Sequence, residues 1–366
     1  MASPSRHTIV LDVMGADNPE SCIIDGGLDV ARRMIDSLHV TFVGQQEVIN
    51  KALSERNNLP DNISVKHAER VVPMDASATN GVRMRDSSIT VGLKLMHDKM
   101  ADAFVSPGNT GAVMATSLLT LGRIKGVSRP AIASTFPTWT GKPTVVLDVG
   151  ANADCKPNHI SQFAIMGSVY SSVIYNIEAP RVGLLSIGEE RSKGNELIFN
   201  ALKLLKNSRI NFVGNIEGRD ILSGIVDVAV TDGFTGNLLL KFAESIKPML
   251  AKSIQRQIQT NVFSRVGAML LLPFLKRMRN SFDYAESGGA PLLGVNGPVI
   301  ISHGSSNSRA ISNAIKAAHE MVSGGVLKHL HRELVTNHFG HENGIKDKSE
   351  NNRNRVIHAS TANDKR

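Results

Sequence analysis

Short apolar runs, rich in valine and isoleucine, recur along the chain and alternate with segments of helical spacing. Most of the runs lack a strict alternation of polar and apolar positions, which is typical of strands buried on both faces of a parallel sheet. The predicted strands are 8–13, 40–43, 63–65, 103–105, 132–136, 145–149, 182–187, 210–213, 226–230 and 299–301. The predicted helices include 23–34, 87–100, 113–121, 160–175, 195–205 and 310–322. The pattern therefore predicts an α/β fold, with three layers and a mostly parallel sheet that has helices on both faces.

The segment 241–285 departs from this alternation, because a long helical pattern there carries most of the charge of the chain. Between Lys241 and Arg279 the sequence has eight basic residues against one acid, in a chain whose formal net charge is +8. The apolar run 266–275 inside it is too short for a membrane span, which needs ~20 residues. We predict a basic amphipathic segment at a membrane surface or a dimer contact, with a solvated or interior helix as the alternative.

The composition agrees with one large domain or two lobes, in a reducing compartment. The chain has 366 residues, 42% of them hydrophobic, which is enough for a substantial core. Its two cysteines, Cys22 and Cys155, argue against a disulfide framework. The first seven residues lack the apolar run of a signal peptide, so we expect a cytoplasmic protein. Aromatic residues make up 4% of the chain, which argues against nucleic-acid binding. We expect a catalytic domain over 1–335 and a polar, disordered tail over 336–366.

Four strand-to-turn corners carry the candidate chemistry. In the first, a strand ends in Ser106-Pro-Gly-Asn-Thr-Gly-Ala112 and a helical pattern follows. Backbone N–H groups at a helix start are unpaired and the helix dipole adds positive charge, so this turn suits a phosphate or an oxyanion. The other corners are 148–152, 186–196 and 231–237. Loops at the carboxyl ends of parallel strands gather on one edge of a sheet, so the four corners predict a single site.

The sequence lacks the common motifs of several enzyme classes. It has no Walker A, G-x-G-x-x-G, H-E-x-x-H or G-x-S-x-G pattern, which argues against an NTPase, a dinucleotide enzyme, a zincin and a serine hydrolase. Cys155 lies beside Lys156 in a polar corner and is a candidate nucleophile, although a small residue that fills a turn is the favoured interpretation.

Six motifs in order along the chain resemble one known family. They are 12–17, 106–112, 148–152, 188–194, 232–237 and 302–304. Together they closely resemble PlsX, the bacterial phosphate acyltransferase family, over about residues 7 to 330. Val13, Ala16 and Pro107 depart from the family pattern and add bulk or stiffness at corners whose glycine and polar positions are kept.

The resemblance implies a transferase that moves a long-chain acyl group from acyl carrier protein to inorganic phosphate. The acyl phosphate would then serve a membrane glycerol-3-phosphate acyltransferase in phospholipid synthesis. The resemblance also implies a homodimer at the inner face of the membrane, with peripheral contact to anionic lipid. The implied fold is similar to that of isocitrate and isopropylmalate dehydrogenases and of phosphate acetyltransferases. No cofactor and no metal are expected.

Direct attack of phosphate on a thioester needs donors for the dianion and for the developing oxyanion. We assign catalysis to Lys193, with Asn152, Asn237 and His303 as neutral donors. The candidate substrate-binding residues are Asp12, Gly15, Asp17, Gly108, Asn109, Thr110, Gly111, Asp148, Asp232, Gly233, Thr235 and Gly236. The candidate membrane-contact residues are Leu270, Leu271, Leu272, Phe274, Leu275, Lys276, Arg277 and Arg279.

Alternatives stay open for these residues and for the function. Lys193 has an interpretation as a surface lysine, His303 as a cap of a carbonyl group, and each aspartate as an N-cap or turn former. The rival functions are a phosphate acetyl- or butyryltransferase that uses coenzyme A and a metal-dependent 2-hydroxyacid dehydrogenase. A purely lipid- or nucleic-acid-binding protein would leave the polar corners without a role.

Overall fold

One mixed sheet of eleven strands organises the part of the chain that we describe from a computed structural model. That part comprises residues 6–258 and 288–336, together with residues 267, 269 and 271. The strands are β1 His7–Asp12, β2 Leu38–Gly44, β3 Ile63–His67, β4 Ala103–Ser106, β5 Ala131–Phe136, β6 Thr144–Leu147, β7 Val182–Leu185, β8 Phe212–Ile216, β9 Val228–Val230, β10 Ala290–Leu293 and β11 Val299–Ile301.

Helices connect the strands on both faces of the sheet, as the sequence pattern predicts. The helices are α1 Glu20–Arg33, α2 Gln46–Ser54, α3 Ala78–Arg83, α4 Ser88–His97, α5 Thr110–Thr120, α6 Pro157–Tyr175, α7 Glu196–Lys206, α8 Gly218–Ser223, α9 Gly233–Ile258, α10 Ser308–Ser323 and α11 Val326–Thr336. Within the described residues, no helix combines the length and the apolar character needed to cross a bilayer.

The direction of the strands reverses in the middle of the sheet. The strand order is β3-β2-β1-β4-β11-β10-β5-β6-β9-β7-β8. The five strands from β3 to β11 are parallel to one another, and so are the four from β6 to β8. Between them β10 is antiparallel to both neighbours, and β5 is antiparallel to β6. The two parallel halves therefore run in opposite directions.

The core lies on both faces of this sheet. Ile9 and Leu11 of β1 belong to the cluster packed under one helical layer, whereas Val10 between them belongs to the cluster on the other face. All three side chains have no exposed surface. Burial of such a side chain contributes ~1.5–3 kcal/mol, so strands of this kind need apolar residues at every position rather than at alternate ones.

The ten predicted strands are all present, with ends that differ by at most three residues. The sequence pattern missed β10, a four-residue strand that follows Gly288 and Gly289, and the helices α2, α3, α8 and α11. It placed the long helical pattern within 241–285, but α9 already begins at Gly233 and continues through Pro248.

Some predictions fall on residues outside the described part of the chain. These are the tail beyond residue 336 and most of the membrane-contact set: Leu270, Leu272, Phe274, Leu275, Lys276, Arg277 and Arg279. Of that set the structure describes Leu271, whose side chain is exposed.

Candidate functional site

The carboxyl ends of β1, β4 and β11 form what we call the Gly108 edge. At its base lies Asp12, which has no exposed surface. Its carboxylate accepts hydrogen bonds from Ser106 Oγ at 2.7 Å and Met14 N at 3.0 Å. Ser106 Oγ in turn accepts the N–H of Gly108 at 3.1 Å. Burial raises the pKa of Asp12 to about 6, against the hydrogen bonds that favour its charged form. The assignment of Asp12 to substrate binding is wrong for this structure, because its carboxylate is enclosed and holds the turn from beneath.

The glycine turn itself is held by the side chain of Asn109. Its Oδ1 caps α5 by accepting the N–H of Ala112 at 2.9 Å, and its Nδ2 donates to the carbonyl groups of Met74 and Ala76 at 2.8 Å each. Asn109 is buried, so it positions the turn. The exposed member of the turn is Thr110, where α5 begins. The turn thus presents the first backbone N–H groups of α5 at the Gly108 edge, which suits an anion.

Two further loops meet the glycine turn. Gly15 has a φ of +77°, and a Cβ placed there would lie 3.2 Å from Val72 O and 3.8 Å from the Cα of Gly108. Asp17 N donates to Gly304 O at 2.9 Å, which ties the loop after β1 to the loop after β11. The structure therefore places Gly15 against the glycine turn and joins the loop of Asp17 to the loop after β11. The assignment of both residues to substrate binding stays a prediction.

His303 lies exposed in the loop after β11, at the same edge. Its Nδ1 accepts the N–H of Ser305 at 3.2 Å. A neutral ring then carries its proton on Nε2, so His303 is a donor at this atom.

The carboxyl ends of β6, β9 and β7 form a second group of corners, which we call the Lys193 edge. Its hub is Asp148, which has no exposed surface. Oδ1 accepts the N–H groups of Ile132, Gly150 and Ala151 at 3.0–3.2 Å, and Oδ2 accepts those of Asn152 N and Nδ2 at 2.7 and 2.8 Å. Burial raises the pKa of Asp148, while these N–H donors oppose the rise. With both oxygens occupied, Asp148 shapes the corner and is not a direct ligand.

Asn152 is likewise committed to the protein. Its Nδ2 donates to Pro130 O at 2.7 Å as well as to Asp148, so both N–H bonds of the side-chain amide are used. The assignment of Asn152 as a neutral oxyanion donor is therefore wrong for this conformation. Its role is to join the loop after β6 to the start of β5.

The start of α9 packs directly against this corner. Asp232 caps the helix by accepting from Thr235 N at 2.9 Å and Thr235 Oγ1 at 2.8 Å, as the N-cap interpretation holds. Gly233 N donates to Asn152 O at 2.8 Å. A Cβ on Gly236 would lie 1.9 Å from Asp148 O, so only glycine fits there.

Two polar side chains at the Lys193 edge have no partner among the described residues. Asn237 is exposed, and its amide carbon lies 3.6 Å from where a Cβ of Gly150 would be. Lys193 is exposed in the loop between β7 and α7, which is fixed by Lys193 N donating to Glu190 O at 3.0 Å and by Ser186 Oγ donating to Lys193 O at 3.3 Å. The backbone of Lys193 is thus fixed while its ammonium group is available to an anion.

The predicted site residues therefore divide between two edges. Strand register places Lys193, Asn152 and Asn237 at the Lys193 edge, and the glycine turn and His303 at the opposite, Gly108 edge. The expectation that all four corners share one edge of the sheet is wrong. The physical reason is the reversal at β10 and β5, which the sequence does not show, because a buried strand has the same composition in either direction.

The environment of Cys155 opposes a nucleophilic role. Its thiol is half-buried, and burial raises its pKa to about 11, with the charges of Asp148, Asp232 and Asp154 acting in the same direction. The thiolate is the nucleophilic form of cysteine, so this thiol is poorly suited to attack.

Sequence reasoning missed several residues that build the two edges. Ser106 connects Asp12 to Gly108, and the loop that carries Met74 and Ala76 supplies the carbonyl groups for Asn109. A serine at the end of a buried strand just before Pro107 was the available signal. Of the departures from the family pattern, Val13 is fully buried in the core and does not reach the site. Among the described residues, no group of three His, Cys, Asp or Glu side chains is placed to hold a metal ion.

Comparison with known proteins adds the chemistry. The family model described as "Fatty acid synthesis protein" matches residues 7–329. A protein named phosphate acyltransferase from Thermoanaerobacter pseudethanolicus is 43% identical over 327 residues, which cover 89% of this chain and 97% of the relative. Among solved structures, a phosphotransacetylase from Streptococcus pyogenes is similar with a TM-score of 0.60 at 16% identity, covering 88% of this chain and 95% of that one. A putative 4-hydroxythreonine-4-phosphate dehydrogenase from Salmonella typhimurium is similar with a TM-score of 0.52 at 10% identity. The match covers 87% of this chain and 100% of that one.

The fold and the relatives together define an acyl-transferring enzyme with a mixed α/β sheet. The structural likeness confirms the predicted fold class, with phosphotransacylases and a dehydrogenase as neighbours. The sequence match is more specific. The chain belongs to the phosphate acyltransferase family, PlsX, and the reaction of that family is acyl transfer to phosphate.

Proposed function

We propose that the protein transfers a long-chain acyl group from the thioester of an acyl carrier protein to inorganic phosphate, giving an acyl phosphate for phospholipid synthesis. One observation carries this proposal. A family model described by fatty acid synthesis and relatives named phosphate acyltransferase match nearly the same residues. The first description points to an acyl donor made by fatty acid synthesis, and the second names the acceptor.

The reaction proposed is direct. A phosphate oxygen attacks the thioester carbonyl carbon, the carbonyl oxygen becomes an oxyanion, and the carbon–sulfur bond breaks to release the donor thiolate. No acyl-enzyme is needed, because phosphate is itself the nucleophile. The raised pKa of Cys155 supports this route over one through a cysteine thioester.

We propose that the two unpaired donors at the Lys193 edge stabilise the charge that develops during the reaction. The ammonium of Lys193 is suited to the phosphate dianion and the amide of Asn237 to the oxyanion, since such donors stabilise charge that develops in the transition state. Asp148, Asn152 and Asp232 hold the loops that carry them. At the Gly108 edge we propose that the glycine turn contacts an anion and that His303 donates a hydrogen bond from a neutral ring.

The twist of the sheet supports one cleft formed by both edges. Six strand steps separate β4 from β7, and neighbouring strands are rotated by roughly 20–25° each. The direction therefore turns by about 120–150° along that path. We propose that this rotation offsets the reversal of strand direction, so that the carboxyl ends of the two halves line one cleft. A phosphate and a thioester bound between them would contact donors from both halves.

We also propose a homodimer with peripheral membrane contact on the cytoplasmic side. Phe234, Leu238 and Phe242 lie four residues apart on α9 and are each about two-thirds exposed, at 67%, 64% and 64%. A helix stripe of this kind is typical of a surface covered by a partner. Further along the chain, exposed Leu271 lies in the segment that we predict to contact anionic lipid. At the membrane surface a glycerol-3-phosphate acyltransferase would receive the product.

The test is an acyl-transfer assay with purified protein. Acyl carrier protein thioester and phosphate should give thiol release that depends on phosphate, together with acyl phosphate as product. Acyl coenzyme A and nicotinamide cofactors are tested in parallel. Faster turnover of short-chain acyl coenzyme A would favour a phosphate acetyl- or butyryltransferase, and reduction of a nicotinamide cofactor would favour a dehydrogenase.

A further inference from the structure

A basic surface lies at the Lys193 edge, outside the corners that hold the candidate site residues. We call it the basic loop surface, and it consists of four exposed cations, Arg123, Lys125, Arg129 and Lys156. None of the four forms an ion pair within the described part of the chain. In the stretches 121–130 and 153–158 the sequence has one acid, Asp154. The surface therefore has a clear excess of positive charge, and the direct attack of phosphate on the thioester uses none of it.

Strand pairing and a backbone hydrogen bond place this surface at the same edge as Lys193. Ile124 N donates to Gly294 O at 3.0 Å, and Gly294 directly follows β10. The loop then leads into β5, whose first residue, Ala131, pairs with the last residue of β10. Because β10 and β6 are both antiparallel to β5, their carboxyl ends point to the same edge. The basic loop surface thus lies beside the corner that follows β6.

Arg129 and Lys156 come from different parts of the chain but belong to one surface. Burial lowers the pKa of His159, and the charges of Arg129 and Lys156 lower it further, so both cations lie near this ring. Asn158 Nδ2 donates to Ser128 Oγ at 3.4 Å, which joins the first turn of α6 to the residue before Arg129. The loop after α5 and the start of α6 therefore present their cations together.

Hydrogen bonds hold the loop that carries three of the four cations. Ser128 N donates to Gln162 Oε1 at 2.8 Å, and Gln162 Nε2 donates to Gly126 O at 2.9 Å. The guanidinium of Arg123 donates to Ser128 O, and Asn296 Nδ2 donates to Arg123 O at 2.9 Å. A loop that is already ordered loses less conformational entropy when a partner binds, so this surface is preorganised for one.

The exposed residues of the loop favour a protein partner over lipid or nucleic acid. Between residues 121 and 130 they are Arg123, Lys125, Gly126 and Arg129. The apolar side chains of Ile124 and Val127 are buried. Residues 121–130, all of them described, thus expose no large apolar side chain to enter a headgroup boundary and no aromatic ring to stack on a base. Charge alone suits a protein surface of opposite sign.

We propose that the basic loop surface docks an acidic face of the protein that carries the acyl thioester. This rests on the proposed function and assigns the surface through which its donor binds. Three strand steps separate β5 from β7, which Lys193 follows. At ~4.8 Å each they span about 14 Å. A carrier docked there lies beside the reacting groups without covering them, and its flexible arm brings the thioester to Lys193 and Asn237.

The test compares a protein-bound donor with a small one. The triple variant Lys125→Gln, Arg129→Gln, Lys156→Gln keeps Arg123, whose guanidinium holds the loop. With acyl carrier protein thioester and phosphate, kcat/KM of the variant should fall ~10- to 100-fold, because electrostatic steering is lost. With acyl-phosphopantetheine, which lacks the carrier, kcat/KM should stay within about two-fold of the parental value. Rising salt should lower the parental kcat/KM for the carrier thioester more than that of the variant.

A matched control removes the same charge elsewhere. Lys51, Lys66 and Lys94 are exposed on α2, β3 and α4. The triple variant Lys51→Gln, Lys66→Gln, Lys94→Gln should keep the parental kcat/KM with both donors. If it loses as much with the carrier thioester as the first variant does, net charge and not a docking surface explains the effect, and the proposal is overturned.

The remaining outcomes separate docking from catalysis, from lipid contact and from the proposed function. An equal loss with both donors would place the cations in catalysis or folding and overturn the docking surface. Parental transfer from the carrier, with lost co-sedimentation of the variant with anionic vesicles, would make the surface a lipid contact instead. Calorimetric binding of acyl carrier protein should weaken in the variant, and equal binding by parent and variant would also overturn docking. If the parent transfers no acyl group but the variant still loses carrier binding, the proposed function fails and the docking surface stands.

Discussion

Replacing Asp12 by asparagine should change how the stability of the protein depends on pH. Asp12 is fully buried, and its pKa in the folded protein is about 6 against an ordinary value of 3.8. Between these values the folded state binds more protons than the unfolded state, so stability falls as pH rises. A difference of roughly 2 between the pKa values corresponds to about 3 kcal/mol at 1.36 kcal/mol per unit. The contribution is fully present below pH 4 and is lost above pH 6.

Asparagine matches the shape of the protonated carboxyl group and does not titrate. Its Oδ1 can still accept from Met14 N, and its Nδ2 can donate to Ser106 Oγ in place of the bond that Ser106 now donates. The stability of the variant relative to that of the parent should therefore increase as pH rises. Of the roughly 3 kcal/mol change in relative unfolding free energy, about 2 kcal/mol should occur between pH 4.5 and 7.5, since the lower part of the titration lies below pH 4.5.

The measurement is urea unfolding of parent and variant across pH 4.5 to 7.5. Taking the difference between the two proteins removes the titration of every group that they share. Asp17→Asn, which removes an exposed carboxylate at the same edge, controls for the simple loss of a negative charge. Parallel stability curves for Asp12→Asn and the parent would refute the reasoning, because a carboxyl group with an elevated pKa must give them different slopes.

Three further outcomes follow from the site and from the basic segment. Lys193→Ala should raise the activation free energy of acyl transfer by about 3 kcal/mol, because it removes one donor that stabilises charge in the transition state. Steady-state acyl transfer measures the resulting loss of turnover. Cys155→Ala should keep most of the activity, and mass spectrometry should find no acyl adduct on the parent without phosphate. The double variant Leu271→Glu, Phe274→Glu should lose co-sedimentation with anionic vesicles, from which rising salt should also release the parent.

Each of these outcomes has a control and a contrary result. For Lys193, the variant Lys203→Ala removes another exposed lysine and should leave turnover unchanged; equal rates in both variants would exclude Lys193 from the mechanism. An adduct on Cys155 that phosphate discharges would overturn direct attack. If a folded glutamate variant still binds vesicles, the segment serves a protein contact instead of the membrane.

The sequence predicted the layers of the fold better than the direction of its strands. Apolar runs such as 226–230 identify buried strands because burial on both faces demands apolar residues, and this demand is local. Strand direction depends on which partners pair across the sheet, and no local pattern reports it. Strand β10 was missed for a related reason, since four residues after Gly288 and Gly289 carry too little pattern.

The same limit applies to the site residues. Asp12, Asp148 and Asp232 all follow a buried strand, and by sequence alone they are alike. In the structure the first lies beneath a turn, the second collects five N–H groups, and the third caps a helix. These differences arise from neighbours far apart in the chain, such as Ile132 beside Asp148. The assignment of Lys193 stays a prediction that rests on chemistry, because a lone lysine in a glycine-flanked loop suits a doubly charged ligand.

The hydrogen bonds around Asp148 also bear on the energetics of ligand binding. A loop that must become ordered around a ligand pays for that ordering out of the binding free energy. At the Lys193 edge the backbone from Gly150 to Asn152 is already fixed by a carboxylate that no ligand supplies. The corner is preorganised, so the interaction free energy of the reacting groups is available for lowering the barrier.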